Sequence, residues 1–146
     1  RNRLEMLLEV IPSKVGPTDD LTAARIIERF YEIGVYPDWW KLEPMKTTAA
    51  WKNACDAVHR NDPYVRGIVV LGLDAPQSEL EESFRLAAGF DLVKGFAVGR
   101  TIFADAARGW LSGKMTDEEA VKDMAQRYTS LCRIWDEARA KKGEAA

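Results

Sequence analysis

Trp39-Trp40-Lys41-Leu42-Glu43-Pro44 reads as a short buried strand with a charge at its centre. Val35-Tyr36-Pro37-Asp38 supplies turn chemistry ahead of it, and Pro44 closes it, because proline has no N–H to give to a central ladder. Side chains alternate along a strand, so Trp39, Lys41 and Glu43 share one face and Trp40 and Leu42 the other. A lysine between tryptophans on such a strand needs a reason. Burial disfavours the ammonium form and leaves a neutral, nucleophilic amine, which is what imine formation requires. The same pattern also fits a lysine held by Glu43 or another carboxylate for structural reasons, since ion pairs perturb titration too.

Outward from this strand the chain repeats one unit. Toward the N-terminus, Leu4 to Ile11 is a nearly continuous apolar run ended by Pro12, the pattern of a strand buried on both faces. A loop with Gly16 and Pro17 follows. Thr18 to Asp20 offers caps for a helix over 21–33, with Ile26, Ile27, Phe30 and Ile33 as its stripe and Gly34 at its end. Toward the C-terminus, Thr47 and Thr48 cap a helix over 49–60, and Asn61-Asp62-Pro63 turns the chain. Gly67 to Leu71 is the clearest buried strand. Ser78 caps a helix running to about Ala88, Leu92 to Val98 is a fourth strand, and a helix over 102–111 follows Gly99-Arg100-Thr101. Thr116 and Glu119 form a capping box for a last helix from Asp117 to about Lys141, with a frayed tail behind it.

Four strand–helix units and a terminal helix imply an α/β fold with a parallel sheet and right-handed crossovers. That is the density of a TIM barrel, but half of one. A doubly wound open sheet is the alternative, against which no Gly-x-Gly-x-x-Gly follows the first strand. No linker divides residues 1–146, which form a single domain. An open half-barrel would leave two strand edges bare, and Leu8, Val69 and Val70 cannot all be covered by helices packed on one side.

Composition narrows the class. The 146 residues are 47% hydrophobic and 30% charged, with a formal charge of -2 and interspersed signs, so no nucleic-acid surface is expected. No apolar run nears the roughly 20 residues of a membrane span, and no signal peptide is visible. Cys55 and Cys132 suit reduced thiols in a cytoplasmic protein. His59, the single histidine, argues against a histidine-rich metal site and is read as a structural cation near a helix C-terminus. Trp51, Trp110 and Trp135 are read as core or helix-packing residues. The chain opens on Arg1 rather than Met and is read as a piece of something longer.

In either parallel architecture the chemistry lies at the C-terminal ends of the strands. Those ends present Glu9, then Lys41 and Glu43, then Gly72 and Asp74, then Gly99 and Arg100. Lys94 sits at the opposite end of its strand and is a poor candidate. Glycine lets a backbone approach an anion, helix N–H groups point at it and arginine adds a charged fork, so Gly99-Arg100-Thr101 is a phosphate-binding pattern to which Gly72 would add a second loop. A turn glycine with a solvated arginine fits as well. Glu9 beside Lys41 suits general acid/base work, or an ion pair in the mouth of the sheet.

Leu8-Glu9-Val10, Lys41-Leu42-Glu43 and Gly99-Arg100-Thr101-Ile102-Phe103 together resemble the second half of class I aldolases of the tagatose-bisphosphate aldolase type. Residues 37–44 and the run 95–103 are similar, more closely, to an aldolase-like barrel domain fused behind the sugar kinase 5-dehydro-2-deoxygluconokinase in bacteria that degrade myo-inositol. The resemblance covers essentially the whole chain, but only strands five to eight of a (β/α)8 barrel. It implies Lys41 as the imine-forming lysine, Glu9 as the acid/base, and Gly99 and Arg100 around the phosphate; Glu43 is added as a further catalytic residue, and Gly72 as a second phosphate loop, from their places at the strand ends. Gly72-Leu73-Asp74 stands where the sugar-bisphosphate aldolases usually carry a Ser-Ala-Gly-like turn. The implied activity is a metal-independent, cofactor-free aldolase cleaving 2-deoxy-5-keto-gluconate 6-phosphate to dihydroxyacetone phosphate and malonate semialdehyde. The implied partners are the missing N-terminal half-barrel or a second copy of the chain, and an attached sugar kinase domain. The alternative is a non-catalytic module that binds a sugar phosphate beside a kinase, and after it a purely structural half-barrel.

Overall fold

The computed structural model describes residues 4–72 and 77–144. Four parallel strands, β1 (Leu7–Val10), β2 (Trp39–Leu42), β3 (Gly67–Leu71) and β4 (Val93–Ala97), pair in the order β1-β2-β3-β4. The helices are α1 (Thr22–Glu32), α2 (Thr48–Asn61), α3 (Gln77–Ala87), α4 (Arg100–Leu111) and α5 (Asp117–Glu144). A strand order that never reverses, joined by the right-handed crossovers that parallel units take, carries every crossover helix to one face of the sheet. A doubly wound sheet needs a reversal, and the order contains none.

The burial pattern follows from that topology. Trp40, Leu42, Ile68, Val70 and Val93 point to the helices and are buried with Ile27, Trp51, Val58, Leu80 and Phe84. Residues of opposite parity are more open: Leu7 is 48% exposed and Trp39, Lys41 and Val69 are part-exposed, although Gly67 and Leu71 on that side are buried. Val69 and Val70 therefore do part company, as adjacent strand residues must. The first strand is shorter than its apolar run and open on one face, not buried on both. Its ladder matches β2, which offers the four residues Trp39–Leu42 between Asp38 and Glu43.

Local chemistry sets the helix ends. Gly34 takes φ +81°, and the Gly34 and Val35 N–H groups donate to the Tyr31 and Phe30 carbonyls, closing α1 in a Schellman motif. Thr47 Oγ1 accepts from Ala50 N–H at 3.0 Å and caps α2. The Thr116–Glu119 capping box forms reciprocally, at 2.8 and 3.2 Å. Ser78 lies inside the first turn of α3 instead of capping it, since the helix starts at Gln77. Beneath α1, Trp40 Nε1 donates to Tyr31 Oη at 3.0 Å, and burial pushes the Tyr31 phenol up. Burial also pushes the Cys55 thiol up, to about 12; Cys55 and Cys132 are both free. α5 closes the far end: Trp135 stands edge-on to Phe84, and the Arg139 guanidinium donates to the Ala88 and Phe90 carbonyls. Trp110 is not core. It is 49% exposed, its Nε1 donating to Asp117 at 2.6 Å.

Candidate active site

The pairing register brings two of the expected residues together. Glu9 and Lys41 are opposite one another in the β1–β2 ladder and point to the same, more open face. Lys41 Nζ lies 2.9 Å from Glu9 Oε1, with the lysine side chain 24% exposed and the glutamate 43%. Lys41 is thus neither sealed in a core nor fully in water. On its other side the rung continues through Val69 to Gly95, where a Cβ would meet nothing within 4 Å. The amine therefore has a carboxylate on one flank, an apolar side chain on the other, and open space beyond.

Glu43 follows the last residue of β2 and is only 9% exposed, yet it does not join that pair. Its Oε1 accepts from Ser13 N–H at 3.0 Å and its Oε2 from Ser13 Oγ at 2.7 Å. Ser13 is the middle residue of a single 3-10 turn, Pro12–Lys14, directly after β1. The loop beyond runs exposed to Asp20, where it is fastened again: Thr47 Oγ1 donates to Asp20 Oδ1 at 2.6 Å, and Asn53 Nδ2 to the Asp20 carbonyl at 3.0 Å. The β2–α2 connection holds both ends of the β1–α1 loop. Ser13 and Asp20 went unnoticed as functional positions in the sequence, because their partners are some 30 residues away.

The other expected residues lie where β3 ends and α4 begins. Gly99 is the N-cap of α4 and Arg100 its first residue, exposed. Gly72 is buried against the residues that flank them: a Cβ there would lie 2.8 Å from Val98 Cγ1 and 3.3 Å from Thr101 Oγ1. Any larger residue at 72 would require the Val98 side chain to shift. Thr101 Oγ1 is buried there without a hydrogen-bond partner among the described residues. Leu73 and Asp74 lie outside the described residues. Lys94 is near the N-terminal end of β4, with its Cγ over Gly67, remote from these strand ends. His59 is exposed in the last turn of α2. A shallow cavity of about 400 Å³ along α5, lined by Lys122, Gln126 and Arg133 among others, contains none of the strand-end residues.

A family model described as an uncharacterized protein conserved in bacteria (DUF2090) matches residues 1–139. The chain belongs to the DUF2090 family. No curated protein matches it. The Glu9–Lys41 pair, the Glu43–Ser13 contact and the Gly72–Gly99–Arg100 corner all fall within the part of the chain that the DUF2090 model covers. No described helix of this DUF2090 chain is long and apolar enough to cross a membrane.

Proposed function

We propose that this chain is half of an eight-stranded aldolase-like barrel, and that Lys41 forms an imine with a phosphorylated keto sugar. The observation that carries the reading is the Lys41–Glu9 contact at 2.9 Å on the open face of the sheet. A carboxylate at that distance is placed to take a proton from the ammonium, freeing the amine to attack. Nζ then bonds to the ketone carbon and gives up a proton as the carbonyl oxygen collects one, forming a carbinolamine; a second proton on that oxygen lets it leave as water, and the protonated imine forms. Cleavage removes the proton of the hydroxyl two carbons away. The C–C bond electrons move to the iminium nitrogen, an aldehyde departs, and the enamine is reprotonated and hydrolysed to release the ketone and Lys41. Glu9 serves each proton transfer in turn.

In 2-deoxy-5-keto-gluconate 6-phosphate this chemistry breaks the bond that yields dihydroxyacetone phosphate and malonate semialdehyde, and the product phosphate falls to the Gly72–Gly99–Arg100 corner. The open sheet face and the edges of β1 and β4, unpaired among the described residues, support completion by four further strands, from the same protein or from a second copy. A cytoplasmic protein with an attached sugar kinase would supply the phosphorylated substrate.

The test is turnover of that substrate by the intact protein, read as release of dihydroxyacetone phosphate. Substrate bound and returned unchanged would make the chain a binding module instead. Within either outcome Arg100 is testable separately. Arg100→Ala should weaken phosphorylated ligands at least tenfold more than their unphosphorylated analogues, measured by calorimetry, because its partner is the phosphate; equal loss for both would make Arg100 structural.

A further inference from the structure

Glu43 shares the parity of Lys41 and is largely buried, but its two carboxylate oxygens are both occupied by one residue of another loop. We infer that Glu43 is a positioning residue: through Ser13 it holds the C-terminal end of β1 in register, so that Glu9 stays on Lys41. This rests on the imine reading above and assigns Glu43 a role other than proton transfer.

The physical case starts from β1. It has four residues, lies at the sheet edge, and is paired along one side only among the described strands. Its last rung is Val10 on Leu42, one residue past Glu9 on Lys41. A strand this short, ending one rung past Glu9 on Lys41, frays from its end unless something beyond the ladder fastens it, whether or not a further strand pairs along its other side. Ser13 N–H is in the first turn of a 3-10 segment, where a donor has no partner within the turn. Glu43 satisfies that N–H and takes the Ser13 hydroxyl as well, so one side chain closes both the turn and the end of the strand. An acceptor engaged twice on a largely buried carboxylate is poorly placed to shuttle protons to a substrate, whereas Glu9, on the open face, is well placed.

The experiment uses the intact protein with Glu43→Ala, Ser13→Ala, their double variant, and Glu9→Gln. Two readouts are followed: backbone hydrogen exchange across 8–11, and the pH profile of borohydride trapping with dihydroxyacetone phosphate. The expected result is exchange across 8–11 about tenfold faster in Glu43→Ala, with β3 unchanged. Trapping should be slowed about tenfold with its pH profile unshifted, while Glu9→Gln changes the profile. The double variant should be no worse than Glu43→Ala, because the two residues act through one contact. A Glu43→Ala profile altered like that of Glu9→Gln would overturn the inference by making Glu43 a proton-transfer group. Unchanged exchange would overturn it by showing the clamp idle. If the unaltered protein traps nothing at Lys41, the imine reading falls, and hydrogen exchange still decides whether Glu43 holds β1. Should Glu43→Ala fail to fold, Ser13→Ala carries the same test, with Ser13→Thr expected to restore both readouts.

Discussion

Trp40 and Lys41 are neighbours in the chain and opposites in situation. Trp40 faces the helices, fully buried, its ring edge-on to Phe30 and Tyr31 and its N–H on the Tyr31 hydroxyl. Lys41 faces the other way, part-exposed, with a carboxylate at 2.9 Å. The alternation of one four-residue strand thus divides the two: the helix-covered face holds the fold together, and the open face carries the Glu9–Lys41 pair. Each face should then tolerate what the other does not.

The largest effect is expected from crossing that boundary. Trp40→Ala should cost about 3–5 kcal/mol of stability, the usual range for emptying a large aromatic site. Lys41→Met should cost less than about 1 kcal/mol, since it removes a partly solvated ion pair. Urea unfolding of the two variants measures this. A Lys41 variant as unstable as the Trp40 variant would break the division.

A smaller effect comes from Cys55, on the covered side. Its folded thiol is pushed up to about 12 by burial, whereas an unfolded cysteine titrates near 8.5. As pH rises the unfolded chain loses this proton first. The contribution is therefore complete below about pH 8.5 and is lost as pH climbs through about 12, at roughly 1 kcal/mol per unit. The raised Tyr31 phenol acts in the same direction above about 10. Urea midpoints from about pH 8 to 11 should fall more steeply for the unaltered protein than for Cys55→Ala; parallel declines would show that Cys55 ionises as freely folded as unfolded.

The smallest effect sharpens the comparison. Thr116→Ala removes half of the α5 capping box and should cost about 1 kcal/mol. Phosphorylated ligands should bind the variant as before, because α5 supports the covered side. A binding change as large as the stability change would couple the two faces.

Much of this was legible in the sequence. The strand–helix order, the Thr47 cap, the Gly34 terminus and the Thr116–Glu119 box follow from local patterns, and the structure has each of them. The α/β class with a parallel sheet follows from that order. Parity alone put Lys41 and Trp40 on opposite faces. What sequence could not supply was register and long-range pairing. Glu9 meets Lys41 because β1 and β2 align residue for residue, a fact no single strand records. Glu43 turned to Ser13, 30 residues away, and not toward Lys41. Trp110 reads in the sequence as core or helix-packing; it is not core, and it joins α4 to the start of α5 through Asp117 at the surface. The apolar run at 4–11 promised burial on both faces, which the sheet as it stands provides on one.

Lys41 as the imine-forming residue is tested most directly by reducing the intact protein with borohydride in the presence of dihydroxyacetone phosphate and mapping the peptides by mass. The expected result is a covalent adduct on the peptide containing Lys41, absent in Lys41→Met. An adduct on Lys94 instead, or an unmodified protein after reduction, would contradict it.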